Sequence, residues 1–196
     1  MKNSRAPFKI SMPNSSYSTL QKTVKQLAAK IDAPSNLLPT YARTRDSAYP
    51  HIEIDESGLL HYVVVERGEE LERLSTKDED ELLYWVFAGV TFSMAVAYEL
   101  KNRIYKQDAR RIMFGKQEEL LGKLSQNWKQ REIAEHENIL KKNPFDDNIN
   151  LRVDAYVALI EDGHSIESAT KISDENFSET PSPQSKIAKI WNRFVG

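Results

Sequence analysis

The sequence predicts an α+β fold dominated by helix. A small antiparallel β-hairpin or sheet over about residues 50–74 packs on a multi-helix layer, with a buried central helix over about 77–105. Three observations predict it. Leu82–Tyr98 pass without a single charge, and only Thr91 and Ser93 interrupt the apolar and small residues. From His51 the apolar period drops to two, the period of a half-buried strand. On either side, apolar residues recur three and four apart, as on one face of a helix.

Residues 1–16 read as an irregular arm. Ser18 then caps a short amphipathic helix carrying Leu20, Val24, Leu27 and Ile31. Pro34 and Pro39 mark a loop. "HIEID" alternates, "ESG" turns with Gly58 in the left-handed position, and "LLHYVVVE" is rich in β-branched residues. A second turn at "ERGEE" leads to a short third strand at Leu71–Leu74. Thr76 is the expected N-cap of the central helix, with Glu79 as its capping-box partner.

A second long helix is expected over about Asp108–Lys142, with Met113, Gln117, Leu120, Leu121, Leu124 and Trp128 along one stripe. Gly115 and Gly122 are the places where it would break. "NPFDDN" ends it. A helix at Ile149–Glu161 stops at Gly163, and shorter helices follow at Ser165–Ile172 and Ser185–Phe194, with a loop at "SETPSP" between them. Together these read as one domain, 1–196, with a C-terminal helical extension over 148–196.

The uncharged run also raises the question of a membrane span. A bilayer core needs about 20 apolar residues, and Lys101 and Arg103 would suit a cytoplasmic end. Yet Ala88, Gly89, Ala95 and Ala97 are spread around the helix, as close packing on all sides requires. The hairpin before it and the amphipathic helix after it each need a partner for an apolar face. The expectation is therefore a central helix, not a span.

Composition is that of a soluble globular chain: 40% apolar and 29% charged over 196 residues. The absence of cysteine removes disulfides and thiolate chemistry. The N-terminus has no apolar h-region, so no secretory signal is expected, and the expected location is the cytoplasm. The net charge of −2 hides an asymmetry. Residues 51–100 carry twelve acids against three Lys/Arg, a balance of −9, while residues 1–50 stand at +6.

Catalytic constellations are scarce. "EHENIL" (Glu135–Leu140) superficially matches a His-Glu-x-x-His zinc helix, but Leu140 stands where the second His should be. His51 and His61 could approach across the hairpin, with Glu53 and Asp55 on the face of His51, a possible metal set. Hydrogen-bonded surface histidines are the commoner outcome. Phosphate loop and nucleophile elbow are both missing. The chain is therefore expected to be no enzyme and to carry no catalytic residue, metal or cofactor. Tyr156–Ser173 has the rhythm of a helix-turn-helix, which gives the alternative of a small DNA-binding regulator. A recognition helix with Lys171 set against Glu167 lacks the basic footprint, and a plain helical hairpin is favoured.

The residues also carry a family likeness. The stretch "HIEIDESGLLHYVVVERGEELERLSTKDEDELLYWVF" resembles the core of the immunity protein 63 family of bacterial polymorphic-toxin and contact-dependent inhibition systems. The pieces that match are the Gly58 turn leading to Tyr62, Glu66-Arg67-Gly68, Thr76, and "DELLYWVF" (Asp80–Phe87). Weaker similarity continues through "YELKNR", "DARRIMF" and "NPFDD", so that it covers roughly residues 50–147. The resemblance implies a cytosolic protein that binds one cognate toxin domain and blocks it. Many such toxins are nucleases with basic clefts for phosphate, so the implied partner is a basic nuclease domain, with neither nucleic acid nor membrane as a partner. Tyr84 and Trp85 match the motif but read as core.

The acids fit that implication. The four at Asp78–Glu81 complement a helix dipole. The rest of the cluster is not explained that way, and surface solvation is its plain alternative. The candidate toxin contacts are Asp55, Glu56, Glu69, Glu70, Glu72 and Asp78, through which charge would provide steering and specificity.

Overall fold

A computed structural model describes residues 15–177. Residues 1–14 of the predicted arm over 1–16, the "SETPSP" loop and the helix at Ser185–Phe194 lie outside them, and residues 15–16 of that arm belong to the first helix. In chain order the elements are α1 (Ser15–Lys30), a single 3-10 turn (Ser35–Leu37), β1 (Thr40–Tyr41), β2 (Tyr49–Ile54), β3 (Leu60–Glu66) and β4 (Glu69–Thr76). Then follow α2 (Glu79–Asn102), α3 (Ala109–Leu124), α4 (Gln126–Lys142), α5 (Ile149–Glu161) and α6 (Ile166–Phe177). This is the helix-dominated α+β class that the sequence predicts.

The described residues divide into two compact units. One holds residues 15–94 together with Gln117–Gln130, and the other holds Ala95–Lys116 and residues 131–177.

In the first unit the strands lie in the order β1-β2-β3-β4. β2, β3 and β4 form an antiparallel meander, as expected. The sheet is mixed, because β1 pairs with β2 in parallel. A two-residue strand inside a Pro-flanked loop carries no periodicity, so it could not be read from sequence. β4 is longer than the predicted Leu71–Leu74 and runs from Glu69 to Thr76. Both hairpin turns follow the glycines. Gly58 has φ +80°, and Arg67 and Gly68 both have positive φ (53° and 79°). That pair is the two-residue loop whose twist matches that of the strands it joins.

Ile52, Tyr62 and Leu74 stand in register on one face of the sheet. Ile52 belongs to a core with Leu20, Val24 and Ala28 of α1, Ile31 just after it, Leu82–Tyr84, Val86, Phe87 and Val90 of α2, and Leu120, Leu121 and Trp128. The α1 residues fall at the predicted helical spacing. The helix begins at Ser15 instead of at a Ser18 cap. The tyrosine at its start also ties it to the sheet, because the Ile54 N–H donates to the Tyr17 hydroxyl at 2.8 Å.

α2 starts two residues later than a Thr76 cap would place it. Asp78 is the capping residue: its carboxylate accepts from the Asp80 N–H at 2.9 Å. Thr76 Oγ1 instead accepts from the Asp78 N–H, which closes the turn between β4 and the helix. By length and composition α2 is the one helix among the described residues apolar enough to cross a membrane, and 44% of that window is buried within the protein. Its first half is buried nearly all round, from Leu82 to Phe87. Thr91 donates to the Phe87 carbonyl at 2.6 Å, so that its hydroxyl is satisfied inside the helix. The second half departs from expectation. Gly89, Phe92, Ser93, Ala97, Tyr98 and Leu100 are exposed, while Ala95 and Glu99 are buried.

The predicted 108–142 helix is two helices. The break falls at Ser125, not at either glycine. The Ser125 carbonyl accepts from Lys129 N–H, and its hydroxyl accepts from Trp128 N–H, so it caps α4. Gly122 has a role at that corner, since a Cβ there would lie 3.0 Å from Lys129 Cδ.

In the second unit, "DARRIMF" and "NPFDD" meet. The Arg110 guanidinium grips Asp108 and donates to the carbonyls of Asn143 and Pro144. Asp147 accepts from Arg111 and from the Asp108 N–H, and Asp108 accepts from the Asp146 N–H. Phe145 packs beside Phe114 with Arg111 over its ring. α5 and α6 form the predicted helical hairpin around Gly163, and Arg152 bonds to the Phe177 carbonyl across it.

Candidate functional site

The acidic part of the first unit centres on β4. A β-bulge decides its chemistry. Val64 pairs with Glu72 but Val65 pairs with Glu70, so Leu71 is the extra residue. In a regular strand, residues three apart point to opposite faces. With one residue inserted, Glu70 and Arg73 share a face. Arg73 therefore grips Glu70 through Nε and Nη2, and its Nη1 reaches Glu53 Oε2 at 2.8 Å. Arg73 is paired in register with Val63, and Val63 with His51, so the guanidinium bridges from β4 over β3 to β2.

This arrangement holds the carboxyls of Glu53 and Glu70 below the usual carboxylate range, chiefly through their hydrogen bonds to Arg73. The Arg73 cation is stabilised in turn. The chain of contacts ends inside the protein. Glu53 Oε1 lies 3.1 Å from His51 Nε2, and His51 is 3% exposed. Its other nitrogen, Nδ1, is buried without a hydrogen-bond partner.

The two hairpin histidines do not converge. His61 is paired with Glu53 in register, its Nδ1 lies 2.7 Å from Ser75 Oγ, and its Nε2 lies 3.4 Å from Asp55 Oδ2. No group of three or more His, Asp or Glu among the described residues is placed to hold a metal ion. His136, from the zinc-like "EHENIL", is a core residue stacked on Phe114 at 3.8 Å between ring centroids.

The six candidate contact residues fall into two groups. Asp55, Glu56 and Asp78 lie at the end of the sheet where Leu60 pairs with Thr76. Glu69 and Glu70 lie at the other end, about 20 Å away along a strand rising roughly 3.3 Å per residue, with Glu72 between. They also differ in what else they do. Asp55 Oδ1 accepts from Ser57 N–H, Ser57 Oγ and Leu59 N–H. The Ser57 hydroxyl, then the Leu59 amide, pull its pKa down to about 2. Asp78 caps α2, and Glu70 is held by Arg73. The freely exposed acids are Glu56, Glu69 and Glu72.

Three residues that the sequence reasoning missed belong to this surface: Glu53 and Arg73, which set the charge pattern, and Leu71, 58% exposed on the bulge. The bulge that unites them has no sequence signal. On the core-facing side, Leu37, Pro39, Tyr49, Pro50, Tyr62, Val90 and Phe92 line an open, mainly apolar cavity of about 320 Å³. Burial, reinforced by the charge of Glu72, pushes the Tyr62 hydroxyl up to about 12. The helix-turn-helix alternative finds Lys171 as the sole cation of α6, among Glu167, Asp174 and Glu175.

Comparison with known proteins gives one match. The family model described as immunity protein 63 covers residues 56–138, from the first hairpin turn into α4. No curated protein and no solved structure matches the chain. Over residues 56–138, the chain is similar to the immunity protein 63 family.

Proposed function

We propose that this protein neutralises a toxin by binding a cognate toxin domain, and that the exposed acids of the β3–β4 hairpin and of the first turn form part of the contact. The observation that carries this reading is the overlap of the family-like region, residues 56–138, with the most acidic quarter of the chain over residues 56–100. The fine details are part of the proposal. The partner is a basic domain, a nuclease delivered by contact-dependent inhibition, and the encounter takes place in the cytoplasm without catalysis by this chain. A basic cleft built for phosphate attracts a surface that presents carboxylates, and such complementarity raises the association rate and excludes neutral competitors.

The geometry refines which acids to test. Glu56, Glu69 and Glu72 are exposed and hold no turn, cap or ion pair among the described residues, whereas Asp55 holds a turn, Asp78 a cap and Glu70 the Arg73 guanidinium. The experiment is co-expression with the toxin encoded beside this gene. Cells making the wild type survive, and cells making Glu56→Lys/Glu69→Lys/Glu72→Lys lose protection. Full protection by the triple variant would remove the acidic surface from the mechanism. Failure of the wild type to bind that toxin would remove the immunity reading itself.

A further inference from the structure

β4 is an edge. In the order β1-β2-β3-β4 it has β3 as its single neighbour among the described residues. It is eight residues long, and Glu69 to Arg73 are all exposed, so that the outer side of the strand is open to solvent. An edge strand presents a row of unpaired N–H and C=O groups that another chain can complete. At the opposite edge, β1 is two residues long and offers little to pair with.

Edges of this kind invite a second copy of the same chain, and this one carries charges that oppose it. Antiparallel pairing of β4 with itself about Leu71 would set Glu70 of each copy against Glu72 of the other. Like charges opposite one another across strands are destabilising, while opposite charges contribute. The same acids favour a strand that carries Lys or Arg. The Arg73 fork already neutralises Glu70, which leaves Glu69 and Glu72 exposed on the opposite face of the strand, that of Leu74. Leu71 between them supplies an apolar contact at the bulge.

We infer that β4 is the docking edge for an extended, basic segment of the toxin domain, which adds a fifth strand to the sheet. Main-chain hydrogen bonds supply the affinity common to such strand addition, and the acid–base pairs fix which segment is accepted. This rests on the proposed immunity function and adds the mode of binding to it.

The test is amide hydrogen exchange on the full chain, alone and saturated with the toxin domain encoded beside this gene. Exchange in residues 69–76 should slow by about tenfold or more in the complex, because amides that pair with a partner strand leave solvent. A second arm uses Leu71→Pro, which removes an N–H at the bulge. It should bind more weakly by about tenfold with its circular dichroism unchanged. If that variant does not fold, the exchange experiment still decides. A complex that forms with exchange of residues 69–76 unchanged overturns strand addition and leaves the immunity reading standing. Protection of the same residues in the toxin-free protein on raising its concentration assigns the edge to a second copy and overturns the proposal. Absence of any complex overturns both readings.

Discussion

The indole Nε1–H of Trp128 donates to the carboxylate of Asp80 across 3.1 Å. The bond joins the start of α4 to the first turn of α2. Trp128 is 3% exposed and stacks on Phe87 at 6.1 Å, with Tyr84 edge-on at 6.4 Å. A buried indole needs an acceptor for its N–H, and one of the acids at the mouth of the apolar helix provides it. Asp78 caps that helix, and Glu79, Asp80 and Glu81 stand at the positive end of its dipole. The acids before α2 are therefore largely structural, unlike those on β4. Trp128→Ala should lower stability by about 3–5 kcal/mol, as large core deletions do. Asp80→Ala leaves the indole donor unpaired and should lower it by about 1–3 kcal/mol. Asp80→Asn keeps an acceptor and should lie closer to the wild type. Urea unfolding followed by tryptophan fluorescence measures all three. A wild-type midpoint for Asp80→Ala would show that the bond contributes nothing.

Two of the small residues of α2, Ala95 and Gly89, should respond in opposite directions. Ala95 is completely buried, so Ala95→Leu forces extra volume into a packed site and should lower stability by about 1–3 kcal/mol. Gly89 was expected to be packed in the same way, but it is exposed, and a Cβ added there meets only the Tyr62 hydroxyl, at an ordinary 3.4 Å. Gly89→Ala therefore gains helix propensity and should raise stability by up to about 1 kcal/mol. Thermal unfolding of the two variants checks the pair. Destabilisation by Gly89→Ala would mean that the space beside Tyr62 must stay open.

These cases show how much of the fold could be read. Periodicity located α1 and the β2–β3 hairpin, because each buries one face and so repeats its apolar residues, whereas α2 was read from its uncharged apolar run and α5 and α6 from the turn at Gly163. Gly58 and Arg67-Gly68 were legible as turns because their backbone conformation restricts which residues fit. The division at Ser125 was hidden, since Leu120, Leu121, Leu124 and Trp128 keep helical spacing across it. The exposed side of α2 was hidden too, since an apolar sequence does not say which of its faces is covered. The candidate surface was legible as composition and not as geometry. Nothing in "EELERLST" announces a bulge, and the bulge is what sets Arg73 over Glu70 and leaves Glu69 and Glu72 free. Asp55 read as a candidate contact because it is acidic, when its three hydrogen bonds organise the turn.

The Asp55 turn predicts a pH dependence. Its carboxyl titrates near 2 in the folded protein, below the ordinary 3.8. A depressed carboxyl pKa adds stability that is fully present above the unfolded value and is lost as pH falls through the folded one. The contribution should hold above about pH 4 and fade between pH 4 and pH 2. Asp55→Ala should consequently be less stable than the wild type at pH 7, and the gap should narrow on acidification. Urea unfolding at pH 7 and pH 3 compares them. A gap that is constant across that range would assign the loss to something other than the charged carboxylate.

The last prediction separates the acids of β4 from one another. Glu70→Lys sets a second cation against Arg73, breaks a bidentate pair and frees Arg73 from one of its two anchors. The order of the β4 bulge should suffer, and amide exchange near Val63 and Arg73 should accelerate. Glu69→Lys and Glu72→Lys disturb no ion pair among the described residues and should leave the fold as it is, since exposed charges contribute little to stability. Their effect should appear on association instead. Steering acts over roughly 10 Å at 0.1 M salt, so the double variant should bind the toxin domain encoded beside this gene more slowly at low salt and converge with the wild type at high salt. If either acid pairs with a desolvated Arg or Lys of the toxin, its loss should raise the off-rate and cost about 2–5 kcal/mol of binding at every salt concentration. Stopped-flow association at two ionic strengths, with the off-rate measured separately, distinguishes the cases. A double variant with wild-type rates at both would assign Glu69 and Glu72 to solvation alone.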